Sequence, residues 1–360
     1  MHKRIALVFA LLLWIAATPT ASDGPTRNRT TPVRASTTAK DAHASFVSAV
    51  DSVGMTVSDM DRAVAFYTTA LPFVKEFDVE VAGRPWEQLH GVFGARLRIV
   101  GLRLGEERLE LTEFLAPKGR PMPADSRGND RWFQHVAIIV RDMDRAYARL
   151  RAHGVVHAST GPQRLPDWNP GAGGIQAFYF RDPDGHFLEI LSFPPNKGDP
   201  KWHWPASQST AGDDNFLGLD HTAIVVSDTE ASLALYRDTL GLNVAGAGEN
   251  YGVEQEHLNG VFGVRLRITT LRAARGTGVE LLEYRAPRDG RPAPIDLRAN
   301  DIAHWQITMR AAGVERLLQP SRLFSLVSPD VTVVDAPHVD FSRALLVRDP
   351  DGHAVRVVQR

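Results

Sequence analysis

The sequence predicts an α+β protein assembled from four β-α-β-β-β modules in two domains. Three observations predict it. First, "GVFGARLRIVGLR" from Gly91 recurs as "GVFGVRLRITTLR" from Gly260, 169 residues on, and "ELTEFLAP", "GRPMP" and "RGND" recur as "ELLEYRAP", "GRPAP" and "RAND". The chain is thus a duplication with halves at 46–193 and 216–360. Second, each half holds a weaker repeat. "VGMTVSDMDRAVAFYTTAL" and "VAIIVRDMDRAYARLRAHG" both read as an alternating apolar strand, an Asp at a helix start and a helix with apolar residues at helical spacing. Third, each helix is followed by further alternating runs, such as "RLRIVGLRL" and "RLELTEFLA", bounded by Gly, Pro and charged turns. The modules start near residues 46, 130, 216 and 300, and the last lacks the "RDMD" helix start.

A chain of 360 residues suits two domains, each large enough to bury a core. Lys plus Arg (41) balance Asp plus Glu (42), and the basic residues are scattered rather than striped, which argues against a nucleic-acid partner and for a small molecule. Residues 1–22 combine a basic start, an apolar run from Ile5 to Ala17 and small residues up to Ser22. That run is too short to span a bilayer and has the layout of a secretory signal, so the expectation is a secreted or periplasmic protein with no membrane attachment after cleavage. Residues 23–45 read as a disordered spacer and 194–215 as a linker, with Trp202 and Trp204 packing it onto a domain. Cysteine is absent, so thiolate nucleophiles, thiolate metal ligands and disulfides are excluded.

Any metal must therefore be held by His, Asp or Glu. Alternation places His135 on a face with Ala137 and Ile139, and His221 on a face with Ala223 and Val225, each at the start of a module's first strand. Glu189 lies with Phe187, Leu191 and Phe193, and Glu283 with Val279 and Leu281. A carboxylate on an apolar face is costly unless a cation compensates it. Taken singly, each His suits a satisfied core position and each Glu an ion pair with arginine. Their recurrence at matching places shifts the balance toward metal ligation, and four N/O ligands of this kind, His135, Glu189, His221 and Glu283, suit a divalent Zn, Fe(II), Mn, Co or Ni ion. "DPDGH" is a tight turn into the last strand, with His186 and His353 pointing away from the Glu189 face. "GAGGIQ" at 171–176 lacks the context of a phosphate loop and reads as a loop over a site.

Four such modules, a His opening the first strand, a Glu in the last strand and "DPDGHFLEIL" together resemble the vicinal oxygen chelate superfamily. That superfamily includes glyoxalase I, methylmalonyl-CoA epimerase, extradiol dioxygenases and bleomycin or fosfomycin resistance proteins. The resemblance spans both halves and implies curved mixed sheets with helices outside. It also implies a metal site built from the first-strand and last-strand residues of two paired modules. By position these are Ser52 and Glu113, His135 and Glu189, His221 and Glu283, and His304 and Arg356. Ser52 and Arg356 depart from the pattern.

The resemblance further implies a metal that grips a small oxygen-rich substrate and stabilises charge on its oxygens, with Glu189 or Glu283 as base. The expected activity is that of a glyoxalase I-like lyase or an epimerase-like isomerase. The alternatives are an extradiol-type ring-cleaving dioxygenase, with His221 and His304 as ligands, or a non-catalytic small-molecule binding or resistance protein. If neighbouring modules paired, each domain would hold an incomplete ligand set. Crosswise pairing, two with three and one with four, instead collects the complete set at one site and sends Ser52 and Arg356 to the other, where Arg356 would neutralise Glu113.

Overall fold

The computed structural model describes residues 45–205, 207, 213–336 and 338–360. The expected signal sequence and nearly all of the expected spacer lie outside the described residues. Among the described residues no helix is long and apolar enough to cross a membrane.

The first module runs β1 (Val47–Val57), α1 (Met60–Thr69), β2 (Val74–Ala82), α2 (Arg84–His90), β3 (Arg96–Leu104) and β4 (Glu107–Ala116). The second is β5 (Gln134–Val140), α3 (Met143–Ala152), the short β6 (Val156–His157) and β7 (Gln163–Arg164), β8 (Gln176–Arg181) and β9 (Phe187–Ser192). The third repeats the first as β10 (Phe216–Val225), α4 (Thr229–Leu233), β11 (Asn243–Tyr251), α5 (Val253–Asn259), β12 (Arg265–Arg272) and β13 (Gly278–Ala286). The fourth is β14 (Trp305–Ala311), a 3₁₀ turn at Val314–Leu318, β15 (Ser325–Leu326), β16 (Thr332–Val333), β17 (Arg343–Arg348) and β18 (Ala354–Gln359). The Asp of each repeated helix start is an N-cap: Asp59, Asp142 and Asp228 accept from the backbone N–H of Arg62, Arg145 and Ala231. The fourth module has no such Asp, and only a 3₁₀ turn forms there.

The strands make two open nine-stranded mixed sheets, and the modules pair crosswise in them. The sheet of modules one and four is joined by antiparallel β1–β14, and that of modules two and three by antiparallel β10–β5. Sequence neighbours meet on the helix side instead. One core joins Met55, Met60 and Tyr67 of module one to Ile138, Met143 and Phe178 of module two, and a second joins modules three and four.

Two repeated motifs act in this pairing. Arg120 of "GRPMP" binds Asp301 of "RAND" with its Nε and Nη2, and Arg291 of "GRPAP" binds Asp130 of "RGND" in the same way. Gly119 and Gly290 must be glycine, because an added Cβ would lie 1.9 Å from the carbonyl oxygens of Asn300 and Asn129. The "DPDGH" turns reach across modules as well: His186 Nε2 lies 2.9 Å from the Ile302 carbonyl and His353 Nε2 lies 2.8 Å from that of Val225. In the linker, Trp202 is buried and donates to Asp220, while Trp204 is exposed.

Candidate metal centre and cavity

His135 on β5, Glu189 on β9 and His221 on β10 converge on the cavity-lining face of the sheet of modules two and three. Each offers a ligand atom within 4.8 Å of the others, and all three are buried. Glu189 Oε2 lies 3.1 Å from His135 Nε2 and 3.7 Å from His221 Nε2. Strand register explains the convergence: His135 is two residues before Ala137, which is level with Glu189, and Ala223 of β10 is level with His135.

Glu283 does not join them. It lies on the helix-side face of β13 with Val279 and Leu281, and its Oε2 accepts from the Thr229 hydroxyl (2.7 Å) and N–H (3.2 Å) at the start of α4, with Arg285 3.0 Å from Oε1. The carboxylate at the site is Glu280. It is level with Ala223, as Glu189 is with Ala137, and its Oε2 is 3.4 Å from His221 Nε2 while Oε1 accepts from Thr270 at 2.7 Å. The expected set is thus corrected from Glu283 to Glu280. Both faces of β13 are buried, so an apolar companion could not say which face looks into the site.

The same correction applies in the other sheet. Glu113 accepts from the Met60 N–H (3.0 Å) and from Lys118 (2.5 Å) at the start of α1. Glu110 takes the inward place instead. His304 precedes β14 and lies 3.2 Å from Arg348, and Gln306, level with Gly54 as His135 is with Ala223, holds the position that matches His135. Arg356 then binds Glu110 through two parallel hydrogen bonds of 2.9 and 2.8 Å and Thr308 through a third. A guanidinium fills this second centre.

Asp220 was not foreseen as part of the site. It sits in a β-bulge between Leu219 and His221 that defeats simple alternation, and its Oδ2 lies 3.0 Å from His221 Nδ1. Arg272 and Trp202 fix it in turn. This contact turns Nε2 of His221 toward the cluster. Burial disfavours the charged imidazole, but Glu280, Asp220 and Glu189 outweigh it and push His221 up to about 9. Both ring nitrogens of His135 are buried without a hydrogen-bond partner among the described residues. An orphaned imidazole is costly, and a cation among these three donors would satisfy it. The donor set fits a divalent metal.

The cluster lies in a cavity of about 250 Å³. Gly171 and Ala172 of the glycine-rich loop line it, and that loop is pinned by Asn169, whose Oδ1 accepts from both of their N–H groups. From Asn169 a chain of buried amides runs through Asn250 and Gln255 to Asn259 and the Tyr284 hydroxyl. Tyr179, level with Glu189 on β8, also faces the cavity. Burial first, then Glu189, keeps its phenol protonated well above the usual range.

The family model described as "Glyoxalase/Bleomycin resistance protein/Dioxygenase superfamily" matches residues 49–190 and 218–357. A 2-epi-5-epi-valiolone epimerase of Actinomyces sp is 36% identical over 151 residues, which cover 41% of this chain and 80% of that protein. Glyoxalase I from Zea mays superposes with a TM-score of 0.52 at 15% identity, covering 86% of this chain and 92% of that one. A putative dioxygenase from Bacillus subtilis subsp. subtilis str. 168 gives a TM-score of 0.50 at 14% identity, covering 88% and 86%. These two likenesses show the fold. With both halves matched by one model, and with a relative that is an enzyme, the chain belongs to the glyoxalase/bleomycin resistance/dioxygenase superfamily.

Proposed function

We propose that this chain is a metal-dependent isomerase of the epimerase kind that moves a proton on the carbon beside a carbonyl of a small oxygen-rich substrate. The observation that carries the reading is the second carboxylate: Glu280 stands beside the His135–Glu189–His221 cluster with one oxygen held by Thr270 and the other 3.4 Å from His221. His135, Glu189 and His221 would hold one divalent metal, which when bound supplies a Lewis acid that polarises the carbonyl. Glu280, outside that tight trio and facing the cavity, takes the proton and returns it. Asp220 orients His221, and the apolar walls exclude water. The 36% identical epimerase supports isomerisation over a lyase activity.

The test is metal analysis of the purified protein, followed by deuterium wash-in at the carbon beside the carbonyl of candidate hydroxyketones, read by NMR. Glu280→Gln is expected to keep its metal and to slow exchange about 10²- to 10⁴-fold. Glu283→Gln is expected to leave both unchanged. Exchange lost in Glu283→Gln and retained in Glu280→Gln would overturn the assignment.

A second reading has its own observation. Two His and one carboxylate are also the ligand set of non-haem Fe(II) oxygenases. Oxygen uptake with a panel of catechols decides between the two, and none is expected. We also propose that the chain acts after export, on the order of basic, apolar and small residues in 1–22. Mass measurement of the protein recovered outside the cytoplasm should show an N-terminus near Ser22.

A further inference from the structure

Among the described residues, those that line the cavity around His135 and His221 include no Lys and no Arg. The Arg272 guanidinium, fixed beside the site, is spent on Asp220, with Nη2 2.8 Å from each carboxylate oxygen. Lys197, beside the glycine-rich loop, is engaged with the carbonyl oxygens of Pro170 and Gly171. The matching pocket of the other sheet holds Arg356 and Arg310 at depth, with Arg108 and Arg360 at its exposed rim, so the fold accommodates buried cations there and the reaction cavity does without them.

The charges inside the cavity also balance. A divalent cation on the cluster would be matched by Glu189 and Glu280, and Asp220 is matched by Arg272. With the cation already matched, a phosphate or carboxylate brought into this space would shed its water and meet two carboxylates and no cationic side chain. The polar groups that do face the space are neutral. The Tyr179 hydroxyl has no hydrogen-bond partner among the described residues, Asn250 keeps one amide hydrogen uncommitted after binding Gln255, and Thr270 retains acceptor capacity after donating to Glu280. Ile175, Leu191, Phe193 and Ile268 form the apolar walls.

We propose, building on the proton-transfer reading above, that the substrate is an uncharged compact hydroxyketone, carrying no phosphate, coenzyme A or glutathione portion, and that the Tyr179 hydroxyl recognises it as a neutral donor. The amide chain from Asn169 to Tyr284 keeps the glycine-rich loop and the α5 side of the cavity in one arrangement, so the neutral groups are pre-positioned for hydroxyls.

The experiment is calorimetric titration of the full metal-loaded protein with scyllo-inosose, fructose 6-phosphate and S-lactoylglutathione, with metal content measured on the same samples. The neutral ketone is expected to bind at least tenfold more tightly than either anion. Tyr179→Phe is expected to weaken it about tenfold while leaving metal content and thermal midpoint unchanged. An anion that binds as tightly as the ketone, or a ketone that does not bind at all, overturns the inference. Protein that takes up no metal sinks the proton-transfer reading instead, and the ligand ranking without metal still judges this one.

Discussion

Arg356 shows how one side chain can settle the fate of a site. Its guanidinium reaches Glu110 with the two-pronged geometry that a carboxylate prefers, and Thr308 takes a further N–H. The last-strand Glu of module two and the Arg of module four are thus answers to one problem, a buried carboxylate across the sheet with two strands between, met by a metal-type donor set in one sheet and by a fixed cation in the other. The sequence showed the exchange of Glu189 for Arg356 but not its true partner. "ELTE" and "ELLE" each carry two glutamates three residues apart, on opposite faces, and both faces are apolar. A different buried pair allows a prediction about pH. His186 Nδ1 lies 2.8 Å from Asp182 Oδ2, and Tyr67 donates to the same oxygen, with Asp184 nearby. Burial opposes a charged His186, yet Asp182 raises it above its ordinary 6.5, and His186 in turn lowers Asp182 below 3.8 against the same burial. A raised His contributes stability that is present below pH 6.5 and is lost as pH climbs through its folded value. A lowered Asp contributes stability that is present above 3.8 and is lost as pH falls. Denaturation midpoints should therefore fall from mildly acid to alkaline pH, and His186→Gln should flatten that alkaline limb. An unchanged slope in the variant would show that the pair does not couple to folding.

At the scale of elements, the sequence was most legible where a signal is local. The Asp caps of α1, α3 and α4 and the alternation of the long strands correspond to elements found. The missing "RDMD" of module four corresponds to a 3₁₀ turn instead of a helix. Legibility fails where a face or a partner comes from elsewhere in the chain. The bulge at Leu219–His221 brings Asp220 to the site against alternation, and the cavity wall of Asn250 and Gln255 comes from β11 and α5, whose polar residues look like surface in isolation. The repeated "GRP" and "RxND" motifs were visible only as repeats. Their function, clasping modules one to four and three to two, follows once Arg291 is seen on an Asp130 side chain wholly shielded from solvent. Arg291→Ala should cost about 2 kcal/mol in urea unfolding, the scale of losing hydrogen bonds to a buried charge. A second variant, Arg291→Lys, keeps the charge but loses the two-pronged grip and should recover only part of it. Full recovery by Lys would mean that charge alone carries the clasp.

In the whole molecule, crosswise sheets divide the labour between two centres that began as copies. His135 and Glu189 come from one half of the chain and His221 and Glu280 from the other, so the candidate metal centre exists only because module two pairs with module three. The other sheet places Ser52, Gln306 and Arg356 where the donors would stand, and keeps Glu110. Purified protein should therefore carry one equivalent of metal per chain, lost on His221→Ala and retained on Glu110→Ala. The stronger test adds a site. Ser52→His, Gln306→His and Arg356→Glu in one chain rebuild the His, Glu, His, Glu set around Glu110 and remove the cation that now fills its centre. Arg356→Ala alone strands Glu110 without a partner and should destabilise the fold by about 3–5 kcal/mol, as breaking a buried ion pair does. The triple variant returns a partner only when metal is supplied, so its thermal midpoint should rise with added metal while its content goes from one equivalent to two, measured by plasma mass spectrometry on protein whose circular dichroism matches the parent. A parent chain with two equivalents, or a folded triple variant that stays at one, would show that the second centre differs from the first in more than these three side chains.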